Sequence, residues 1–119
     1  MTCPDHGVEL VPASTQYGTR WGCPVDGCTV ACWEGSTSTP ATDEVRRLRQ
    51  ECHALFDPMW RLRKRRNWFR DRRAAYEWLA KAMGVGREDA HIGKFGKEQC
   101  ERLLALLREI KRAVVGETV

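Results

Sequence analysis

Hydrophobic residues recur every three or four positions in three stretches of the second half of the chain, which is the spacing of one face of an α-helix. The three stretches span about residues 42–57, 71–84 and 97–115. Polar and charged residues fill the positions between them, as on the solvent side of an amphipathic helix. The pattern therefore predicts three helices that enclose one modest hydrophobic core.

The residues at the ends of these stretches are typical of helix termini. Thr42 and Asp71 carry side-chain oxygens that accept hydrogen bonds from the first N–H groups of a helix. Gly84 suits the left-handed conformation in which many helices end. Pro58 disfavours a helical conformation of Asp57, so we expect the first helix to end or kink there.

The beginning of the chain has shorter runs of strand-forming residues. Residues 8–11 and 17–21 are two such runs, joined by Pro12-Ala-Ser-Thr15, and residues 29–33 form a third. Two neighbouring runs with a turn between them predict a β-hairpin, and the third run supplies a further strand.

Together these elements predict a small α+β fold. A strand-rich module of residues 1–40 precedes a three-helix α domain of residues 41–119. The Gly, Ser, Thr and Pro residues of positions 34–42 are typical of a loop and mark the boundary.

Four side chains that bind metals lie in the strand-rich module. They form a Cys and a His three residues apart and two Cys five residues apart, with 16 residues between the pairs. This is the spacing of a zinc ribbon, in which two turns hold one tetrahedral Zn²⁺. Metal binding supplies folding free energy that so small and polar a module lacks. We therefore predict one structural Zn²⁺ bound by Cys3, His6, Cys23 and Cys28.

The residues around the ligands fit tight turns. A proline follows the first cysteine of each pair, and Gly7 and Gly27 lie nearby. Such turns aim backbone N–H groups at metal-bound sulfurs. Cys32 is a fifth candidate, either as an alternative to His6 or as a small buried side chain, and the sequence leaves both interpretations open.

The charge of the chain is distributed unevenly. Hydrophobic residues make up 42% and charged residues 30%, which indicates a globular protein. Residues 1–40 carry one cation against four acidic side chains, a net charge of −3. Residues 41–119 carry 19 cations against 12 acidic side chains, a net charge of +7. Any attraction to phosphate must therefore come mainly from the helical half.

Eight of the thirteen residues in positions 61–73 are cations, and seven of the eight are arginine. Arginine favours bidentate contacts with phosphate and stacking on aromatic rings. The sequence therefore predicts binding of nucleic acid, of a type that it leaves open. Trp21 and Trp33 either stack on unpaired bases or cover the ribbon. The predicted binding residues are Arg61, Arg63, Lys64, Arg65, Arg66, Trp68, Arg70, Arg72 and Arg73.

A protein partner is the alternative interpretation. The acidic ribbon would then contact a host protein complex, with exposed tryptophans as anchors. The segregation of negative and positive charge between the two halves fits this interpretation as well.

We expect a protein without catalytic activity, located in the cytoplasm. The N-terminal residues MTCPDHG lack the features of a signal peptide, and no apolar run is long enough to span a bilayer. Reduced thiols with a metal are then favoured over disulfides. The strongest enzymatic alternative is a nuclease site built from His53, Asp57 and His91. A second metal site would combine Cys52 and His53 with His91 and Cys100, but both cysteines fall on the apolar faces of predicted helices.

The ribbon segment resembles the C-terminal zinc ribbons of bacterial type IA topoisomerases. His6 stands where those ribbons have a Cys, and Asp5, Glu9 and Thr19 stand where they tend to be basic or aromatic. The resemblance implies contact with single-stranded DNA through aromatic side chains. It rests on Cys3, Pro4, Gly7, Leu10, Tyr17, Gly18, Gly22, Cys23 and Cys28.

Most of the chain is also similar to a family of small phage and prophage proteins that join a zinc ribbon to a helical segment. The similarity rests on His-Ala-Leu-Phe-Asp-Pro-Met-Trp at 53–60 and His-Ile-Gly-Lys-Phe at 91–95. It implies a phage protein acting in the bacterial cytoplasm, and it brings no activity with it.

Overall fold

A computed structural model describes residues 1–61 and 69–117, with side chains up to residue 113. The chain forms two compact units, a ribbon unit (Met1–Arg47) and a helical unit (Leu48–Val119). The predicted boundary at residue 40 precedes the first helix, whereas the division between the units falls inside that helix, after Arg47.

The ribbon unit contains a three-stranded antiparallel sheet with the strand order β1-β2-β3. The strands are β1 (Val11–Thr15), β2 (Gly18–Gly22) and β3 (Ala31–Trp33). The hairpin and the third strand are therefore confirmed.

The predicted position of the first strand was wrong. The segment Pro12-Ala-Ser-Thr15, expected as the turn, belongs to β1, and the chain reverses at residues 16 and 17. The Thr15 hydroxyl donates to the carbonyl oxygen of Gly18 at 2.8 Å and accepts from the Tyr17 N–H at 3.1 Å. These two bonds stabilise a tighter turn than the composition suggested.

Pro12 is tolerated in a strand because β1 lies at the edge of the sheet. Thr15 and Gly18 close a two-residue hairpin, so they form a hydrogen-bonded pair, and such pairs alternate along the ladder. Pro12, opposite Trp21, then occupies a non-hydrogen-bonded position, and its nitrogen points to the open edge. The missing N–H weakens the ability of this edge to pair with another strand.

The strand register gives the sheet two different faces, because successive residues of a strand point to opposite sides. Trp21 and Cys32 are paired across β2 and β3, and their face packs with Leu10 in the ribbon core. Arg20 and Trp33 are paired on the opposite face. That face is not part of the ribbon core, and Trp33 is 43% exposed.

The helical unit follows the expected order of helices. Within the described residues the helices are α1 (Asp43–Phe56), α2 (Pro58–Arg61), α3 (Arg72–Met83) and α4 (Lys97–Glu117). Two short 3-10 turns, Arg87–Asp89 and Ile92–Lys94, connect α3 to α4. Three long helices after an antiparallel sheet confirm the small α+β fold class.

The helix ends are stabilised by the residues that the sequence singled out. The Asp71 carboxylate accepts a 2.8 Å hydrogen bond from the N–H of Ala74 in the first turn of α3. Gly84 ends α3 in the left-handed conformation, with φ of 66°. A further bond, which the sequence analysis did not predict, lies at α4: the Gln99 side chain accepts from the Gly96 N–H at 3.1 Å, which is half of a capping box.

The core of the helical unit is built from α1, α3, α4 and the segment between α3 and α4. Its fully buried side chains include Phe56, Leu79, Phe95 and Leu103. Arg49 is also buried, and its Nε group donates a 2.9 Å hydrogen bond to the carbonyl oxygen of Phe95. This bond offsets part of the cost of burying the guanidinium group. The buried residues of α1 are Arg49, Cys52 and Phe56. The spacing of apolar residues in the sequence predicted a buried stripe of Val45, Leu48, Cys52, Leu55 and Met59, so the buried face of α1 is rotated relative to this prediction.

Candidate metal centre and basic surface

Two turns and the ends of strands bring four ligand atoms of the ribbon unit together. Cys3 and His6 flank the first turn, and Cys23 and Cys28 flank the second. A glycine with positive φ lies at each turn: Gly7, directly after His6, has φ of 67°, and Gly27, between the two cysteines, has φ of 77°. All four ligand atoms lie within 4.8 Å of one another in the group Cys3, His6, Cys23 and Cys28.

The distances within this group fit a tetrahedral metal. Zn–S bonds of about 2.3 Å at tetrahedral angles separate two sulfurs by about 3.8 Å, and a sulfur and a nitrogen by about 3.6 Å. The Sγ atoms of Cys3 and Cys28 are 3.8 Å apart. The Nδ1 atom of His6 lies 3.6 Å from Cys3 Sγ and 3.7 Å from Cys23 Sγ. Three sulfurs and one imidazole nitrogen also form a donor set that zinc prefers.

Backbone N–H groups of the turns support the sulfurs. Burial of Cys3 favours its neutral thiol, but hydrogen bonds with His6 and from the backbone of Asp5 and His6 outweigh burial and lower its pKa to about 7. Burial, together with the thiols of Cys28 and Cys3, raises the pKa of Cys23 to about 11, against a backbone hydrogen bond from Val25. The expected N–H groups are thus present in both turns, and they stabilise thiolates of the kind that zinc binds.

Cys32 lies outside the ligand group, although the sequence left it open as an alternative to His6. It is buried in the ribbon core, and its thiol contacts the Met1 sulfur at 3.4 Å. Burial raises the pKa of Cys32, which keeps it a neutral thiol. The structure therefore favours the interpretation of Cys32 as a small buried side chain.

A second metal site, considered from the sequence, is not formed by the described residues. The group in the ribbon unit is the one metal-binding cluster that they contain. The hydrogen bond with Cys100, together with burial, raises the pKa of Cys52, which opposes metal binding by this thiol. His53 contacts the Asp57 carboxylate at 3.2 Å, whereas His91 packs against the ring of Tyr76.

The predicted nucleic-acid-binding residues divide into described and undescribed positions. Arg61, Arg70, Arg72 and Arg73 are described and exposed. Arg70 forms an ion pair with Asp71 at 3.4 Å, and Arg73 forms one with Glu77 at 3.2 Å. The residues that lie outside the described part of the chain are Arg63, Lys64, Arg65, Arg66 and Trp68.

Three arginines pack on aromatic rings of the helical unit. The guanidinium carbon of Arg72 lies 4.6 Å from the ring centroid of Tyr76, and that of Arg87 lies 5.0 Å from the same centroid. Arg61 lies 5.5 Å from the centroid of the Trp60 ring. Arg87 was not among the predicted residues, because it lies 14 positions beyond the basic segment and only the packing against Tyr76 brings it close.

A family of proteins described as a zinc-finger-containing domain matches residues 5–110. This is most of the chain, and the protein belongs to this family. The matched region includes three members of the ligand group and nearly all of the helical unit. No curated protein and no solved structure matches the chain.

The family match supports the similarity to a zinc-ribbon family. A phage origin and the resemblance to topoisomerase ribbons stay predictions. Within the described residues, no helix is long and apolar enough to cross a membrane.

Proposed function

We propose that this protein binds one structural Zn²⁺ in its ribbon and binds nucleic acid through the basic surface of its helical unit, without catalysing a reaction. The zinc ligands are Cys3, His6, Cys23 and Cys28, and the distances among their ligand atoms support this assignment. The metal stabilises the ribbon, whose core contains only four buried residues.

The observation that carries nucleic-acid binding is the arginine–aromatic surface formed by Arg61, Arg72 and Arg87 on Trp60 and Tyr76. A guanidinium group that lies over a ring directs its N–H donors sideways, where they remain accessible to phosphate oxygens. Packing on the ring also restricts the side chain before a ligand arrives, which lowers the entropic cost of binding. Arg61 and Arg72 of this surface belong to the basic segment 61–73.

Binding of the zinc-loaded protein to single-stranded DNA, duplex DNA and RNA over a salt series tests this proposal. Contacts with four to six phosphates predict a log–log slope of roughly −3 to −5. Reversal of four charges (Arg61→Glu, Arg65→Glu, Arg66→Glu and Arg72→Glu) is expected to abolish binding. Undetectable binding at low salt would overturn the proposal.

A matched control reverses four exposed cations elsewhere on the helical unit. The control changes on α4 are Arg102→Glu, Arg108→Glu, Lys111→Glu and Arg112→Glu, which alter the net charge by the same amount. Equal loss of binding in both variants would show a response to net charge alone and would contradict a defined surface. Zinc content and the far-ultraviolet circular dichroism spectrum report whether each variant folds.

A host protein is the second candidate partner, and the distribution of exposed hydrophobic side chains favours it. Among the described residues, the exposed large hydrophobics all lie in the ribbon unit, and Tyr17 is 79% exposed. Aromatic side chains of this kind anchor protein interfaces. Capture of one host complex by the wild-type chain, lost in Tyr17→Ala, together with flat nucleic-acid binding, would favour this candidate. The phage origin and the cytoplasmic location remain predictions.

A further inference from the structure

The open face of the ribbon sheet forms a groove that the arginine–aromatic surface does not use, and the zinc ligands Cys23 and Cys28 line one side of it. Its floor is lined by Ala13, Gly22 and Ala31, one from each strand, and the groove volume is about 740 Å³. These small residues leave room for a ligand to approach the backbone closely. Arg20 and Arg46 also line the groove.

Two guanidinium groups in one groove are unusual in a unit that is acidic elsewhere. Residues 1–40 have a net charge of −3 and contain Arg20 as their one cation. Burial, and then the nearby charge of Arg20, lowers the pKa of Arg46. An anion between the two groups would relieve this repulsion and replace the lost hydration of Arg46.

Asp43 is the acidic residue in the groove, but it only weakly engages Arg46. Its Oδ2 atom contacts Arg47 at 2.9 Å, whereas its Oδ1 atom lies 3.6 Å from Arg46. The distance to Arg46 is too long for a good hydrogen bond. The N–H donors of Arg46 are therefore available to a ligand that binds more closely.

Trp33 adds an aromatic surface to the same face of the sheet. It lies directly opposite Arg20 in the strand register, so both side chains project from the open face. Trp33 as a whole residue is 43% exposed. A guanidinium pair beside an exposed indole matches a ligand that joins a phosphate to a planar ring.

We propose that this groove binds a nucleoside monophosphate, with the phosphate between Arg20 and Arg46 and the base on Trp33. A free nucleotide and the 5′-phosphorylated end of a strand both carry this group. An extended acidic peptide fits less well, because Pro12 removes one of the edge N–H groups that strand addition would use. The net negative charge of the unit also favours a compact anion over a long polyanion. This site is separate from the arginine–aromatic surface and does not depend on nucleic-acid binding there.

Titration of the isotope-labelled, zinc-loaded full chain with adenosine 5′-monophosphate tests the assignment by nuclear magnetic resonance. We expect saturable shifts at Trp33 and around residues 11–46, with a Kd at or below about 1 mM. Arg46→Gln should weaken binding at least about tenfold. Asp43→Asn should strengthen it several-fold by removing the competing carboxylate, and this gain cannot arise from misfolding.

Three comparisons define the ligand and its source. Equal affinity for inorganic phosphate would overturn a role for Trp33, and no saturable shift at about 10 mM nucleotide would overturn the site. If a 5′-phosphorylated oligonucleotide shifts the signals of the same residues and its 5′-hydroxyl counterpart does not, the ligand is the end of a nucleic-acid strand. If only the free nucleotide shifts these signals, the ligand is a metabolite. The variant reversed at Arg61, Arg65, Arg66 and Arg72 should keep groove binding, so the two proposals fail separately.

Discussion

The Nε group of Arg49 donates a 2.9 Å hydrogen bond to the backbone carbonyl oxygen of Phe95, and both residues are buried. The bond joins α1 to the residue that precedes the N-cap of α4, across 46 positions of the chain. Phe95 is also part of the hydrophobic core, so the bond fixes the backbone beside a large buried ring. A buried arginine is tolerated here because its charge is hydrogen-bonded.

Replacement of Arg49 by Met is expected to lower the free energy of unfolding by about 1.5–3 kcal/mol, since a charge-assisted bond is lost and the Phe95 carbonyl is left with a weak 4.0 Å contact from the Cys100 thiol. Urea unfolding, followed by helical circular dichroism with zinc present, measures this loss. Arg47→Met is the matched control, because that side chain is 75% exposed on the same helix. Its expected effect is below about 1 kcal/mol. Equal effects of the two changes would contradict a structural role for the buried bond.

Gly84 and Gly86 offer a test of backbone conformation alone. A Cβ atom at either position meets nothing within 4 Å, but Gly84 has φ of 66° and Gly86 has φ of −68°. Gly84→Ala is expected to cost about 1–2 kcal/mol, because an L-residue is disfavoured in the left-handed region. Gly86→Ala is expected to be neutral or stabilising by up to about 1 kcal/mol. Thermal unfolding of the two variants provides the comparison, and the opposite order of stability would refute it.

The elements that follow from local chemistry were predicted best. The Asp71 carboxylate caps α3 by accepting from the N–H of Ala74, three residues away. Gly84 ends the same helix, and its N–H donates to carbonyl oxygens in the last turn of α3. The closeness of the two ligands within each pair also follows from their spacing in the sequence, since each pair flanks a single turn. Such features depend on a few neighbouring residues, which the sequence displays directly.

The features that depend on distant partners were missed. Arg49 interrupts an apolar stripe, and only the carbonyl of Phe95, far along the chain, explains its burial. Pro12 suggested a turn, and its place in β1 follows from the position of that strand at the sheet edge. Likewise, the pairing of Arg20 with Trp33 is a consequence of strand register, which short strand-like runs do not determine.

Substitution of single cysteines distinguishes a zinc ligand from a cysteine of the ribbon core. Cys28→Ser removes one sulfur of the group and should therefore weaken zinc binding strongly. Loss of a residue that only hydrogen-bonds to a metal ligand already costs roughly 10–100-fold in affinity, and loss of a ligand should cost more. Cys32→Ser removes a buried sulfur outside the group and should leave one zinc per chain. Zinc content after dialysis against a weak chelator measures both. Retention of full zinc affinity by the Cys28 variant would exclude it as a ligand.

Removal of zinc should unfold the ribbon unit and leave the helical unit folded, because the two units have separate hydrophobic clusters. Addition of a strong chelator is expected to collapse the amide signals of residues 1–47 into the range of an unfolded chain. Signals from the core of the helical unit, such as that of Leu79, should keep their dispersion. Return of the ribbon signals on addition of zinc is the control, and simultaneous loss of both sets would contradict independent folding.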